Sequence, residues 1–308
     1  MGTSNMQPHG HQLSAVQPES VMGALRFLER SSVEAERPSG PRVVDYRDAE
    51  SQVRPLSSEV VPRTIRNARL DQSSSSIETG GFTLIDSATS VTDWFDPTQV
   101  TSRYYEECRL AAQALTGASH AFTFDHLIRE PGRQTAGGGL DGTVAVTGAD
   151  RGGGYVNAVH MDYTDNATWA PYLKLHGAAE PSGAGQVIVL NFWRPIQNAA
   201  HADPLAVCDA RSVDEGDLIE TMIYGYGHAG YSWHDIGVAV FEVAASDRHE
   251  WFYYPGMTPD ETLVFKTYDS AGVIGRTCPH GSFADPSTPD DAPDRRSIEL
   301  RVLCYLDG

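Results

Sequence analysis

Cysteine is scarce in this chain: four residues in 308 (Cys108, Cys208, Cys278, Cys304), with no two in a C-x-x-C spacing. Such spacing argues against a disulfide framework and a thiolate-rich zinc site, and it makes a reducing, cytoplasmic setting the expectation. Basic residues are also few, 23 Lys+Arg against 41 Asp+Glu, for a formal charge of −18. A surface of that sign repels phosphate backbones and anionic lipid, so neither nucleic acid nor a membrane is expected as a partner. No run of roughly 18 apolar residues is available to span a bilayer. The opening "MGTSNMQPHGHQLSAV" lacks a basic start followed by an apolar stretch, so no secretory signal is expected. Met6 stands where a myristoylation signal needs Ser or Thr. The glycine runs do not sit between a strand and a helix, as a phosphate-cradling loop would require.

The sequence present suggests two regions. Residues 1–75 read as a polar tail and a Ser/Pro/Arg-rich arm, partly disordered, with "VMGALRFLERS" as a short helix and "SSSSIETGG" as a linker. Residues 76–308 read as one β-rich domain with a helical layer. Its clearest helix is "DPTQVTSRYYEECRLAAQALTGA": Asp96 caps it, Pro97 fits its first turn, Tyr105, Cys108, Ala112 and Leu115 share a face, and Gly117 ends it. "AFTFDHLIRE" reads as a strand, followed by a Gly-rich loop at 137–154. Beyond residue 155, "YVNAVHMDYT", "QVIVLNFWRPI", "PLAVCDARSV", "VAVFEVAA", "WFYYPG", "TLVFKTYDS" and "SIELRVLCYL" are short segments rich in Val, Ile, Phe, Tyr and Thr. "YLKLHGAAE" is a short helix among them. So many short strands predict a jelly roll, mainly β with flanking helices.

Two His-x-Asp pairs occur, His160-Met-Asp162 and His201-Ala-Asp203. In a strand, residues two apart face the same side, so His160 and Asp162 would present an imidazole and a carboxylate together. These are two corners of the 2-His-1-carboxylate triad that binds Fe(II) and leaves positions open. His201 lies in the small-residue loop "QNAAHADP" and reads as a surface residue, as do His9 and His11 in the tail. The third ligand has candidates in His228, His234, His249 and His280. His280 stands out because "PHGSFADPSTPDDAPDRRSIELRVLCY" follows it with Arg295-x-Ser297 at the last strand. A guanidinium fork with a hydroxyl beside it suits a carboxylate. Arg296, on the opposite face, and Arg301, of the same parity, are the rivals of Arg295.

From about residue 64 onward the chain resembles the family that contains the hydroxylating component of cephamycin biosynthesis and the gibberellin-desaturase-like and AsaB-like oxidoreductases. The resemblance rests on "FDHLIRE", "VHMDYT", "LNFWRPI", "PLAVCDARSV", "HEWFYYPGMTPDETLVFKTYDS", "PHGSFADPSTPDDAP" and "RRSIELRVL", in that order. It implies a double-stranded β-helix and non-haem oxidation dependent on Fe(II), 2-oxoglutarate and O2. His160, Asp162 and His280 would hold the metal, and Arg295 and Ser297 the far carboxylate of 2-oxoglutarate. A small molecule of specialised metabolism would be hydroxylated, desaturated or cyclised.

Other residues carry weaker signals. Asn191, Trp193 and Arg194 could reach the co-substrate or substrate, with Trp193 the one assigned to co-substrate binding; the competing reading is a packed Trp and a surface Arg. Asp209 with Arg211 reads as a structural ion pair, Lys266 as a solvated strand residue, and His228 and His234 as residues of the insertion "YGYGHAGYSWHD". The loop 137–154 and the segment 222–236 are expected to flank the pocket mouth. Two rival functions stay open: a non-catalytic jelly-roll partner of a tailoring enzyme, and a zinc hydrolase on the same ligands. A homodimer, or assembly with a tailoring enzyme, is likewise left open.

Overall fold

The computed structural model describes residues 18–36, 42–45, 47, 57–130, 158–175, 177–224 and 236–308. The chain order begins with β1 (Ser20–Leu28), α1 (Arg30–Glu36), β2 (Arg42–Asp45), β3 (Ser58–Asn67) and β4 (Phe82–Asp86). A helical segment follows as α2 (Pro97–Gln99), a wider turn at Val100–Tyr104, and α3 (Tyr105–Thr116). Next come β5 (His120–Arg129), β6 (His160–Met161), α4 (Ala170–Leu175), β7 (Ala184–Pro195), β8 (Leu205–Cys208) and β9 (Leu218–Tyr224). The chain closes with β10 (Val238–Val243), β11 (Trp251–Tyr253), β12 (Glu261–Asp269), β13 (His280–Ser282) and β14 (Ser297–Asp307).

Among the described residues these strands form two sheets of a jelly roll. The larger runs β1-β3-β11-β8-β13-β6-β10-β9-β2, and the smaller β4-β12-β7-β14-β5. Most pairings are antiparallel; β11 with β3 and β2 with β9 are parallel. The interior strands β7, β12 and β14 of the smaller sheet are largely buried on both faces, and β14 shows why seven of its eleven residues are apolar. Ile298, Leu300, Val302 and Cys304 pack on one face against Tyr104, Tyr105, Cys108 and Ala112 of the helical layer. Leu303 and Tyr305 turn the other way, into the core shared with Phe241, Trp251 and Phe283 of the larger sheet and its loops. Ser297, Glu299 and Arg301 have the parity of this second face, which holds the site.

The helical layer follows its sequence signals. The Asp96 carboxylate accepts from the Thr98 N–H at 2.9 Å, and Pro97 occupies the first turn. Gly117 adopts φ 73° and closes α3 through a bond from its N–H to the Gln113 carbonyl. Only a residue tolerant of the left-handed region suits that cap.

Two expectations about elements are corrected. "VMGALRFLERS" is largely strand: in β1, Val21, Gly23, Leu25 and Phe27 are buried and alternate with exposed Met22 and Ala24 and half-buried Arg26. That period of two outweighs the helix propensity of its Leu, Ala and Arg, and helix α1 begins only at Arg30. Thus β1, β2 and β3, all within residues 1–75, are strands of the larger sheet. The run "YVNAVHMDYT" is not a long strand either. Only His160 and Met161 pair as β6, with Ala158 bridging Arg26, and residues 155–157 lie outside the described residues. "YLKLHGAAE" overlaps helix α4, as expected. The loop 137–154 and most of the insertion, 225–235 with His228 and His234, lie outside the described residues.

Candidate metal centre

Strand β6 is two residues long, yet it lies between β13 and β10 and so sits deep in the larger sheet. Its register places His160 directly opposite His280 on β13. The two imidazole rings are 4.4 Å apart between centroids, and the Phe265 ring lies 4.6 Å from that of His280. Asp162 follows β6 immediately and returns its carboxylate to the pair. His160 Nε2 is 3.5 Å from Asp162 Oδ1, and His280 Nε2 is 3.8 Å from the same oxygen.

Each imidazole is fixed from behind. His160 Nδ1 lies 2.9 Å from the Ala158 carbonyl oxygen, and His280 Nδ1 lies 3.1 Å from that of Cys278. A carbonyl only accepts, so each Nδ1 carries a proton, and in the neutral ring each Nε2 presents a lone pair toward Asp162. This is the tautomer and orientation that a metal-binding imidazole requires. Candidate ligand atoms from His160, Asp162 and His280 all lie within 4.8 Å of one another. Two nitrogens and one carboxylate oxygen make a donor set suited to Fe(II) with open positions, so the residues fit that ion.

The electrostatics favour the ligating protonation states of His280 and Asp162, whereas in the metal-free chain the Asp162 charge favours a proton on His160, which a metal would displace. Burial, reinforced by the neighbouring His160, pushes the His280 imidazole down to about 4, which leaves it neutral. Burial alone would raise the Asp162 carboxyl, but Arg301 and the two histidines outweigh it and hold it far below the usual carboxylate range. His160 is raised: burial opposes the shift, and the hydrogen bond and charge of Asp162 overcome it.

A cavity opens beside the triad, lined by His160, His280, Trp193, Arg295, Arg129 and Glu299 among others. Arg295 is buried, its guanidinium carbon 5.4 Å from the centre of the Trp193 ring, and its Nη1 donates to the Asp203 carbonyl. The second His-x-Asp loop therefore does contribute here, through a main-chain oxygen: His201 itself is exposed. Ser297 is also buried, and its Oγ makes no hydrogen bond to any described residue. A buried hydroxyl left without a partner has an energetic claim on one, which fits a bound carboxylate beside it. Arg296 faces away, bonded to Gln197 Oε1 at 2.7 Å and 3.4 Å from Glu130.

Several residues resolve differently from their sequence readings. Arg194 is fully buried on the helix side of β7, its guanidinium over Trp94 and Tyr104 at 5.5 and 5.6 Å, and it donates to the Pro259 carbonyl. It is neither a surface residue nor part of the cavity. Lys266 is not solvated: it is buried and paired with Asp269 at 2.9 Å. Arg211 and Asp209 form the expected ion pair, at 2.6 Å, with Ser74 also bound to Asp209. His249 is distant from the triad in its bonding and faces Asp217 at 3.1 Å.

Sequence reasoning missed Arg129 and Glu299. Arg129 grips Glu299 through two contacts of 3.1 and 2.9 Å, and both line the cavity. The signal existed: Glu299 is two residues beyond Ser297 on the same strand face, and Arg129 sits opposite Ser297 in the β5–β14 register.

Comparison with known proteins points the same way. Residues 25–305 match a family model described as an oxidoreductase/YMDC permease-like domain. The hydroxylase/desaturase efuI of Hormonema carpetanum is 33% identical over 255 residues, 79% of this chain and 83% of that protein. An alpha-ketoglutarate-dependent dioxygenase, phiK, from a fungal species is 31% identical over 74% of this chain and 78% of its own length. Among solved structures, the iron and alpha-ketoglutarate-dependent endoperoxidase NvfI superposes with a TM-score of 0.69 at 21% identity, covering 94% of this chain and 99% of that one. At that identity the likeness is one of fold.

Proposed function

We infer that this chain, which belongs to the oxidoreductase/YMDC permease-like family and to the fungal hydroxylase/desaturase group of iron(II)- and 2-oxoglutarate-dependent oxygenases, oxidises an unactivated C–H bond of a small molecule in specialised metabolism. Hydroxylation, desaturation and ring closure share that first hydrogen abstraction. The observation that carries the reading is the convergence of His160 Nε2 and His280 Nε2 on one oxygen of Asp162, beside a cavity that Arg295 also lines. Kinship with the hydroxylating component of cephamycin biosynthesis is the finer form of this proposal, carried by the quoted sequence stretches.

His160, Asp162 and His280 would hold Fe(II). When bound, iron with 2-oxoglutarate and O2 supplies the oxidising power, the co-substrate leaving as succinate and carbon dioxide. The chain's own share is geometry and exclusion of water. Arg295 offers a planar fork to the far carboxylate of 2-oxoglutarate, Ser297 Oγ a further hydrogen bond, and Trp193 a flat wall that keeps the guanidinium in place. His280 and His160, each tied through Nδ1 to a carbonyl, keep their rings aimed at the metal position.

Among the described residues no helix is long and apolar enough to cross a membrane. We place the enzyme in the cytoplasm, in keeping with four buried, unbridged cysteines. The test is anaerobic titration of the apo chain with Fe(II) and then 2-oxoglutarate, followed by visible absorption. A weak charge-transfer band on adding 2-oxoglutarate is expected, and its absence would remove the proposal. Succinate formation with a substrate distinguishes an active oxygenase from a non-catalytic partner subunit, and dependence on Fe(II) and O2 distinguishes it from a zinc hydrolase.

A further inference from the structure

We propose that Arg301 is a positioning residue that restricts Asp162 to ligation through one oxygen. The inference rests on the reading of His160, Asp162 and His280 as metal ligands. Both imidazole Nε2 atoms converge on Oδ1, while Arg301 Nε lies 3.6 Å from Oδ2. Asp162 Oδ2 is buried and makes no hydrogen bond to any described residue, so the guanidinium charge is what occupies that side of the carboxylate. Arg301 is buried as well and is held in turn: its Nη2 lies 3.1 Å from Glu299 Oε1, and Glu299 is gripped by Arg129. Charges of alternating sign thus run Asp162, Arg301, Glu299, Arg129 from the triad toward the cavity.

The pleat makes this arrangement. Arg295, Ser297, Glu299 and Arg301 share one parity, but Arg301 sits opposite Asn191 on β7 and Glu299 opposite Trp193. The later arginine is therefore displaced along the strand from Arg295, and the two have separate work. A carboxylate free to rotate in a buried site can close on a cation with both oxygens. With Oδ2 facing a fixed positive charge, that closure would bring the cation toward the guanidinium. Asp162 then supplies one donor, and an octahedral ion keeps three positions for small ligands instead of two. Those are the positions that a bidentate co-substrate and dioxygen need.

The experiment loads the full-length apo chain with Mn(II) and measures the water-proton relaxation enhancement of the bound ion, which reports how many waters it carries. In the wild-type chain three positions stay open. In Arg301→Gln the enhancement should fall by roughly a third, as three open positions become two, and Arg301→Lys should recover part of it. Where Arg301→Gln does not fold, the double variant Glu299→Gln with Arg301→Met removes one charge of each sign and should show the same fall. An unchanged enhancement in a folded variant lacking Arg301 overturns the inference. Asp162→Ala separates the two levels: if it binds Mn(II) as tightly as the wild type, the ligand assignment itself fails, and the inference fails with it.

Discussion

His160 and His280 are direct cross-strand partners, one from the two-residue β6 and one from the three-residue β13, and each is tied by Nδ1 to a carbonyl two residues earlier. Neither strand could hold its ring by length. The sheet does so, because β6 and β13 are interior strands with a neighbour on both sides. Replacing any one of His160, Asp162 and His280 by Ala is expected to weaken Fe(II) binding by more than the ~10- to 100-fold typical of losing an outer partner, and to end turnover. His201→Ala should change neither, since that side chain is exposed. Metal content after dialysis and 2-oxoglutarate turnover are the measurements, and iron lost with His201 but kept without His160 would refute the assignment.

For Arg295 the expectation concerns the co-substrate. Charge-assisted hydrogen bonds are worth roughly 1.5–3 kcal/mol, so Arg295→Ala should raise the 2-oxoglutarate requirement about ten- to a hundred-fold while Fe(II) affinity stays close to wild type. Arg295→Lys should restore only part, because an ammonium cannot supply the fork. Arg296→Ala, on the far side of the pleat and paired with Gln197 and Glu130, should do little. Equal losses at 295 and 296 in an anaerobic binding titration would show the anchor to be elsewhere.

The interior ion pair of β12 gives a stability prediction. Lys266 and Asp269 are both buried, and Asp269 Oδ1 also accepts from Gln186 at 2.6 Å and from the Ala271 N–H at 3.0 Å. Asp269→Ala strands the Lys266 charge and takes the acceptor from three donors, which should cost roughly 3–5 kcal/mol. Lys266→Ala should destabilise the chain by less, because Arg276 Nη1, 3.7 Å from Asp269, still compensates that carboxylate. Urea unfolding with matched m-values is the check. A loss below ~1 kcal/mol in Asp269→Ala would mean that the pair is open to solvent.

How much of this was legible in the sequence depends on the range of the interaction. The helical layer was, since Asp96, Pro97 and Gly117 act on their own backbone neighbours. The His160–Asp162 pair and the Arg295-x-Ser297 spacing were legible as candidates, although Asp162 lies just past β6 and Arg295 just before β14, so neither pair sits wholly within a strand. What escaped was long-range. β1 looked helical by propensity and is extended because β3 pairs with it along its whole length. Arg194 was left between the site and the surface because nothing local announces that the helical layer covers that face of β7. Arg129 and Glu299 find each other only through the β5–β14 pairing, and Asp203 reaches Arg295 by a carbonyl, which any residue could have supplied.

His249 gives a pH dependence that does not involve the metal. Its ring is buried among Phe27, Trp251 and Asp217, and burial lowers its pKa, an effect that the Asp217 charge only partly offsets. The folded chain therefore binds that proton less readily than the unfolded chain, whose histidines titrate near 6.5. The sign follows: the contribution is fully present above about pH 6.5 and is lost as pH falls toward the lower folded pKa. Metal-free protein should accordingly lose stability on acidification through this window, and His249→Gln should flatten part of the slope while lowering stability at pH 8, because the ring's packing goes with it. Thermal or urea unfolding of the metal-free wild type and variant at several pH values between 5 and 8 makes the measurement. A slope identical in the two would show that His249 is protonated equally in both states and that Asp217, not burial, sets its charge.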